Sequence, residues 1–201
     1  MLFAITGIDG SGKSTQIYLL KKFLEKNGHA VSISKAYGNA EKESLAHFFQ
    51  YWDDLTITLI FQGLHRQQYV EAKKSLNKGK IVIADRWDET YLAYHTEFGF
   101  LSENHEVMYR LNKLAFEGLI PDITFFIDTP IEAAQRRLRA RGMDFFDKKS
   151  AEHHLKMREL IINVLKGRNS IFIDGMMDLN EIHLSIIKEI SSYFQKSNLK
   201  L

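Results

Sequence analysis

"TGIDGSGKST", residues 6–15, follows the apolar run LFAI and precedes QIYLLKKFLEKNG, a stretch with helical spacing. Residues 7–14 fit the pattern G-x-x-x-x-G-K-[ST]. Glycines allow a tight turn whose successive N–H groups point at a phosphate, and the N-terminus of the next helix adds about half a positive charge. Because a strand-like run comes before and a helix-like stretch after, we predict a loop that binds a nucleoside triphosphate.

Within this loop, Lys13 is expected to reach the β- and γ-phosphates of ATP, and the Ser14 hydroxyl to bind Mg²⁺. The other predicted ATP contacts come from the loop itself: Gly7, Ile8, Asp9, Gly10, Ser11, Gly12 and Thr15. The alternative, a glycine turn beside a solvated lysine, fits the spacing poorly. The chain lacks the NKxD stretch of a guanine-specific GTPase and the second early loop lysine of a partition-type ATPase. A small kinase is the class that remains.

Composition sets the broad class of the protein. The chain has 201 residues, 45% of them hydrophobic, and a formal net charge of +2, which suits one domain over residues 1–201 and gives no sign of nucleic-acid binding. The absence of cysteine excludes disulfides and cysteine-ligated zinc. No apolar run approaches the ~20 residues of a membrane span, so we expect a cytoplasmic protein without a membrane partner.

Short apolar runs alternate with longer amphipathic stretches along the chain. The predicted strands are Leu2–Thr6, Val31–Ser34, Lys80–Ala84, Ile123–Asp128 and Ser170–Asp174. The predicted helices are Gln16–Asn27, Leu55–Asn77, His105–Glu117, Ile131–Arg141, Ala151–Lys166 and Leu179–Phe194. The strands mostly lack a period of two, which indicates burial on both faces. The alternation predicts an α/β fold, a doubly wound parallel sheet of about five strands with flanking helices.

Three further segments extend the motif: IVIADRW (residues 81–87), IPDITFFIDTPIEAAQRRLRARG (residues 120–142) and ARGMDFFD (residues 140–147). With the phosphate loop and in this order, they resemble the thymidylate (dTMP) kinase family, a family of P-loop nucleoside monophosphate kinases. The similarity runs from about Leu2 to about Arg158. It implies a P-loop NTPase fold with a small helical lid and transfer of the ATP γ-phosphoryl group to a nucleoside monophosphate with Mg²⁺. The partners are then small-molecule nucleotides, and a homodimer is possible by analogy.

The resemblance assigns roles at the acceptor side of the site. Asp85 would help hold the magnesium shell and Arg86 would grip the acceptor phosphate, unless the two merely close a strand end with a salt bridge. Asp9 would lie near the 3′-hydroxyl of the acceptor sugar, where a helix-capping aspartate is the alternative. Arg66 would contact a phosphate or base oxygen.

Aromatic residues are expected around the acceptor base. Phe61 would stack on the base or belong to the core, and it lies five residues before Arg66, where the family usually has a phenylalanine four before. Tyr94 would flank the base, as would Tyr91 and Phe98, with core packing about as plausible. His95 takes the place of a glutamine that helps read thymine.

An arginine-dense helix leads into Gly142 and predicts a lid over the triphosphate, at about residues 140–150. A solvated basic face is the bland alternative for its members, Arg136, Arg137, Arg139 and Arg141. Arg137 is expected to contact ATP. The family that the chain resembles carries its catalytic arginine either in the phosphate loop or in the lid. Because this loop has no arginine, the resemblance implies a lid cation, either Arg139 or Arg141, with Lys148 and Lys149 in reserve. Charge supplied in this way is worth ~10³–10⁵ in rate.

The chain departs from the family pattern at several positions, which are Thr6, Lys35, Gln62, His95 and Phe145. These departures bear on thymine specificity more than on kinase chemistry. The leading hypothesis is phosphorylation of dTMP or a closely related deoxynucleoside monophosphate. The alternatives are a deoxynucleoside kinase, a kinase of another monophosphate, and a nucleotide-gated binding protein with little turnover.

Overall fold

The structure, a computed structural model, describes residues 1–48, 51–97, 104–143 and 149–197. Its strands are β1 (Leu2–Thr6), β2 (Val31–Lys35), β3 (Ile81–Asp85), β4 (Ile123–Asp128) and β5 (Ser170–Asp174). Its helices are α1 (Lys13–Lys26), α2 (Asn39–Phe48), α3 (Asp54–Leu76), α4 (Asp88–Glu97), α5 (His105–Phe116), α6 (Ile131–Arg141), α7 (Ala151–Leu165) and α8 (Leu179–Lys196). The strands form one parallel sheet in the order β2-β3-β1-β4-β5, which confirms the predicted fold class.

Helices cover both faces of this sheet. On one face, α1 and α8 pack their apolar stripes against alternate strand residues such as Phe3, Ile5 and Phe125. On the other face, α3 and α5 cover Leu2 and Ala4, while α7 covers the β4 end of the sheet. Because the central strands are buried on both sides, their side chains are apolar in both alternating positions.

Burial on both faces is confirmed for β1, β3 and β4 and wrong for the two edge strands. Ile33 in β2 is 45% exposed and Phe172 in β5 is 49% exposed. An edge strand has a neighbour on one side only, and its helix cover is thinner. The apolar runs therefore predicted these two strands correctly, but they predicted their burial incorrectly.

Two helices, α2 and α4, escaped the sequence prediction. In α4 the reason is visible, because every residue from Trp87 to Ala93 is buried. A helix buried all round shows no alternation of polar and apolar faces, and periodicity cannot find it. Other helix starts follow ordinary capping chemistry: Asp53 accepts from Thr56 N at 2.7 Å, and Ser150 accepts from His153 N at 3.1 Å.

The carboxyl ends of the parallel strands gather the predicted chemistry at one edge. The loop after β1 lies next to Asp85 at the end of β3, since Ile5 pairs with Asp85, and Lys35 of β2 pairs with Asp85 on its other side. This edge is where ligands bind in open α/β sheets. No helix among the described residues is long and apolar enough to cross a lipid bilayer.

Candidate active site

The phosphate loop is wedged between β4 and α6. Gly7 has φ 143° and Gly10 has φ 81°, values at which any side chain is strained. A Cβ on Gly7 would lie 2.6 Å from the Ile127 carbonyl oxygen, and one on Gly10 would collide with the Ala134 carbonyl oxygen. Both positions therefore require glycine, for conformation and for space.

Lys13 lies inside this loop at the first residue of α1. Its side chain is 8% exposed, its Nζ donates to the Ile8 carbonyl oxygen at 2.9 Å, and it lies 3.7 Å from Asp9 Oδ1. Burial, with the nearby Arg86 guanidinium, lowers the pKa of Lys13 from 10.5 to about 8. The loop thus holds a desolvated cation where the motif predicts contact with phosphates.

Arg86 follows β3 and reaches toward the loop. Its Nη2 donates to Asp9 Oδ1 at 2.7 Å. Burial alone lowers the pKa of Arg86, but the carboxylates of Asp9 and Asp85 outweigh it, so the pKa lies above its ordinary value and the group stays charged. The structure therefore brings together three predicted residues, Asp9, Lys13 and Arg86, as alternating charges.

The predicted magnesium ligands offer hard oxygen donors. Ser14 is exposed at the start of α1, and the Asp85 carboxylate is 10% exposed at the end of β3. Hydroxyl and carboxylate oxygens with water are the chemistry that Mg²⁺ takes, so the residues present fit the ion. Asp85 Oδ2 now lies 3.1 Å from Lys35 Nζ, the lysine that departs from the family pattern.

Helix α3 carries the two predicted acceptor residues Phe61 and Arg66 on different faces. Arg66 faces away: its Nη1 donates to the Ala115 carbonyl oxygen and its Nη2 to Glu117 Oε1, both at 3.0 Å. The carbonyl end of α5 and a carboxylate attract this guanidinium. The structure thus does not bring Arg66 to Arg86, and the acceptor contact predicted for it stays a prediction that these bonds do not support.

Phe61 lies on another stripe of α3, and it is partly buried. Its ring meets the Tyr37 ring edge-on at 5.5 Å between centroids, and it packs against a buried group that includes Tyr91. Tyr37 follows β2, and its phenol helps to raise the pKa of Arg86. Phe61 therefore packs in the core and forms an aromatic wall with Tyr37, and its stacking on the acceptor base stays a prediction.

Helix α4 carries the remaining acceptor candidates. Tyr94 is partly buried and lies close enough to Arg86 to influence its pKa. His95 lies within α4, but its side chain falls outside what the structure describes. Phe98, Phe145 and Lys148 also lie outside the described residues.

The arginines of α6 divide into two groups. Arg137 Nη2 donates to the Gly175 carbonyl oxygen at 2.9 Å, and its Nη1 approaches the Ser11 carbonyl oxygen at 3.5 Å. It thereby ties α6 to the phosphate loop and to the turn after β5. Arg139 and Arg141 are exposed in the last turn of the helix, just before Gly142. Within the predicted lid, residues 144–148 are outside the described part of the chain.

Comparison with known proteins decides the family. The family profile for thymidylate kinase matches residues 5–186. The chain belongs to the thymidylate kinase family. It is 33% identical to "Thymidylate kinase" of Thermosipho melanesiensis over 195 residues, covering 94% of this chain and 96% of that one. It is 34% identical to "Thymidylate kinase" of Sulfurihydrogenibium sp. over 204 residues, covering 94% and 97%.

A solved structure agrees with the thymidylate kinase assignment. The crystal structure of thymidylate kinase from Ehrlichia chaffeensis superposes with a TM-score of 0.70 at 27% identity, covering 95% of this chain and 98% of that one. The likeness therefore extends over nearly the whole length of both chains. The recognised resemblance and the P-loop NTPase fold are confirmed.

Sequence reasoning missed two buried carboxylates in α4 of this thymidylate kinase family member. Asp88 accepts from Arg168 Nη1 and Nη2 at 2.7 and 2.9 Å, a bidentate pair that ties α4 to the chain before β5. Glu89 is 1% exposed and accepts from the Trp87 amide at 3.1 Å. Burial and the neighbouring Asp88 raise the pKa of Glu89, and its carboxyl lies beside Thr6, where the family usually has glutamate. Asp88 and Glu89 are the first two residues of α4, where acidic residues are common, so nothing in the sequence pattern indicated that they are buried.

Proposed function

We propose that the protein transfers the γ-phosphoryl group of ATP to dTMP, producing dTDP and ADP. The observation that carries this proposal is the family match over residues 5–186, reinforced by the convergence of Lys13, Asp9 and Arg86 at the phosphate loop. Phosphoryl transfer needs little covalent chemistry from the protein. It needs two polyanions held in line, with their charge neutralised and water excluded.

The chain's own groups divide this task. The loop amides and Lys13 hold the β- and γ-phosphates of ATP, and Arg137 fixes the loop by its bonds to Ser11 and Gly175. Ser14 and Asp85 would hold Mg²⁺, which would neutralise phosphate charge when bound. The acceptor phosphate lies against Arg86. The exposed Arg139 and Arg141 at the end of α6 supply the cation that stabilises the transferring group.

Asp9 has a double role in this proposal. Its carboxylate holds the Arg86 guanidinium at 2.7 Å, and repulsion keeps it from contacting phosphate oxygens directly. It is left to accept a hydrogen bond from the 3′-hydroxyl of the acceptor sugar. The aromatic wall formed by Tyr37 and Phe61, together with Tyr94, then takes the base.

The decisive experiment is turnover with ATP and Mg²⁺ on a panel of acceptors: dTMP, dUMP, dCMP, dAMP, dGMP and thymidine. We expect dTMP to give the highest kcat/KM. Preference for thymidine would establish a nucleoside kinase, and preference for another monophosphate would reject dTMP. If no acceptor accelerates ADP production, the protein is a binding protein rather than a kinase.

Two variants distinguish the role of the phosphate loop from the role of the residue that binds the acceptor. Lys13→Ala is expected to abolish turnover, whereas Arg86→Ala is expected to raise KM for dTMP and leave KM for ATP within about twofold. The exposed Arg110, which pairs only with its helix neighbour Glu106 among the contacts described, provides the matched control as Arg110→Ala.

A homodimer and a cytoplasmic location complete the proposal. Sedimentation velocity of the purified protein tests whether it is a homodimer.

A further inference from the structure

Arg86 holds its guanidinium in place with an unusual backbone. Its φ is 66°, and among the described residues only Arg86 and Glu117 are non-glycine residues with positive φ. For a residue with a Cβ, this left-handed conformation is unfavourable by roughly 1–2 kcal/mol. It persists only where neighbouring groups hold it, so a partner of the Arg86 backbone must exist nearby.

The Arg86 amide donates to the Ile5 carbonyl oxygen at 3.1 Å. The side-chain partner of the Arg86 backbone is Gln68 of α3. Its Nε2 donates to the Arg86 carbonyl oxygen at 2.9 Å and lies 3.5 Å from the Ser34 carbonyl oxygen. The Ser34 hydroxyl in turn donates to the Gln68 carbonyl oxygen at 3.3 Å. Gln68 is 1% exposed, so these bonds are made away from water, where losing a partner is costly. One buried amide therefore links α3 to the ends of β2 and β3.

His65 fixes which way this amide faces. Its Nδ1 lies 3.1 Å from Gln68 Oε1, an oxygen that can only accept, so the ring donates. Burial lowers the pKa of His65 to about 4, so the ring is neutral at neutral pH, and the bond to the Gln68 oxygen assigns its one proton to Nδ1. The ring packs edge-on against Tyr91 at 5.5 Å and tilted against Phe116 at 5.8 Å, which restricts its rotation.

We propose that Gln68 is a positioning residue for acceptor binding, because it holds the Arg86 backbone in the conformation that places the guanidinium on Asp9. His65 is its support, since it orients the amide. Gln68 does not touch substrate; it acts through Arg86. The inference rests on the proposed role of Arg86 toward the acceptor phosphate, and it assigns to α3 a polar function different from the one that Arg66 was predicted to have.

The test is Gln68→Met, which keeps the side-chain length and removes the donor. The matched control is Gln67→Met on the same helix, where the exposed amide bonds only to Glu71 among the contacts described. Calorimetric titration of each protein with dTMP, and separately with ATP·Mg²⁺, gives the two affinities without turnover. We expect Gln68→Met to weaken dTMP about tenfold and to change ATP affinity less than twofold, and Gln67→Met to change neither.

A double-variant cycle distinguishes positioning from general destabilisation. In an Arg86→Ala background, Gln68→Met should cause no further loss of dTMP affinity, because the group that it positions is gone. If Arg86→Ala alone leaves dTMP binding unchanged, the proposed role of Arg86 is wrong and the inference fails with it. If Arg86→Ala weakens dTMP but Gln68→Met does not, or if the two losses add, only the inference fails.

A second variant covers the case in which Gln68→Met does not fold. His65→Phe conserves the ring and its packing and removes the donor that orients the amide. We expect it to weaken dTMP about threefold, again with ATP affinity unchanged. Unchanged dTMP affinity in a folded His65→Phe protein would overturn the inference.

Discussion

Replacing Lys13 by Met should stabilise the ligand-free protein while abolishing its activity. Lys13 is buried within the phosphate loop, and burial with the Arg86 guanidinium lowers its pKa from 10.5 to about 8. The folded protein thus holds a charged ammonium in a place that disfavours the charge. A group of this kind serves the ligand at the expense of stability, as functional sites commonly do.

The magnitude follows from linkage. The difference between the ordinary pKa of 10.5 and the folded value of about 8 is 2.5 units, worth about 3 kcal/mol at 1.36 kcal/mol per unit. The variant also loses the hydrogen bond that Lys13 Nζ donates to the Ile8 carbonyl oxygen, which lowers the free energy of unfolding by about 1 kcal/mol. Lys13→Met should therefore be more stable than the wild type by about 2 kcal/mol at pH 7.

The pH dependence has a definite sign. Between pH 8 and 10.5 the unfolded chain keeps the Lys13 proton that the folded chain has released, so the wild type gains stability as the pH rises. The variant lacks this gain, and its advantage should shrink between pH 7 and pH 10. Urea unfolding at both pH values measures this, with Lys21→Met on the exposed face of α1 as the control. A variant that is less stable than the wild type at pH 7, or an advantage equal at both pH values, would refute the reasoning.

Three further predictions concern other residues. Arg168→Leu should lower the free energy of unfolding by about 3–5 kcal/mol, because it leaves a buried carboxylate of α4 unpaired; urea unfolding should show less than about 1 kcal/mol for Arg110→Leu, whose ion pair is exposed. Gly10→Ala should destabilise more than Gly79→Ala, because both have positive φ but Gly10 alone of the two has a backbone carbonyl in the way; equal losses would contradict the steric argument. Arg137→Leu should raise KM for ATP about tenfold and leave KM for dTMP unchanged, because the phosphate loop loses an anchor; a change confined to dTMP would reject this role.

The sequence predicted most of the fold because most of its elements alternate in a regular way. The bounds of β1, β4 and β5 agree with the prediction, and the phosphate loop falls between β1 and α1 as its motif requires. What periodicity could not find was α4, whose polar and apolar residues from Asp88 to Ala93 are all buried, so that no polar face marks this part of the helix. The density of apolar residues also cannot distinguish an edge strand from a central one. The run that forms β2 predicted burial on both faces, but β2 lies at the edge of the sheet and Ile33 is exposed.

The candidate site was predictable only where a motif fixes the backbone. The loop residues and the pair Asp85-Arg86 lie at the ends of strands, so their direction follows from the sheet. A residue within a long helix is less constrained, because a shift of one position turns it by about 100°. On α3 that turn directs Arg66 to Glu117, while Gln68 points inward to the Arg86 carbonyl oxygen and His65 contacts Gln68. Which of these neighbouring residues points inward depends on the exact position of each along the helix, and the structure shows this where the sequence does not.

The fit of Gly10 against α6 limits how this enzyme can evolve. A side chain at this position would enter the space of the Ala134 carbonyl and of Leu138, both in the helix that carries Arg139 and Arg141. An arginine cannot simply be gained in the loop by point mutation, since the whole helix would have to retreat first and take the other arginines with it. Under the role proposed for Arg139 and Arg141, a lineage that packs α6 this closely keeps its catalytic charge on that helix.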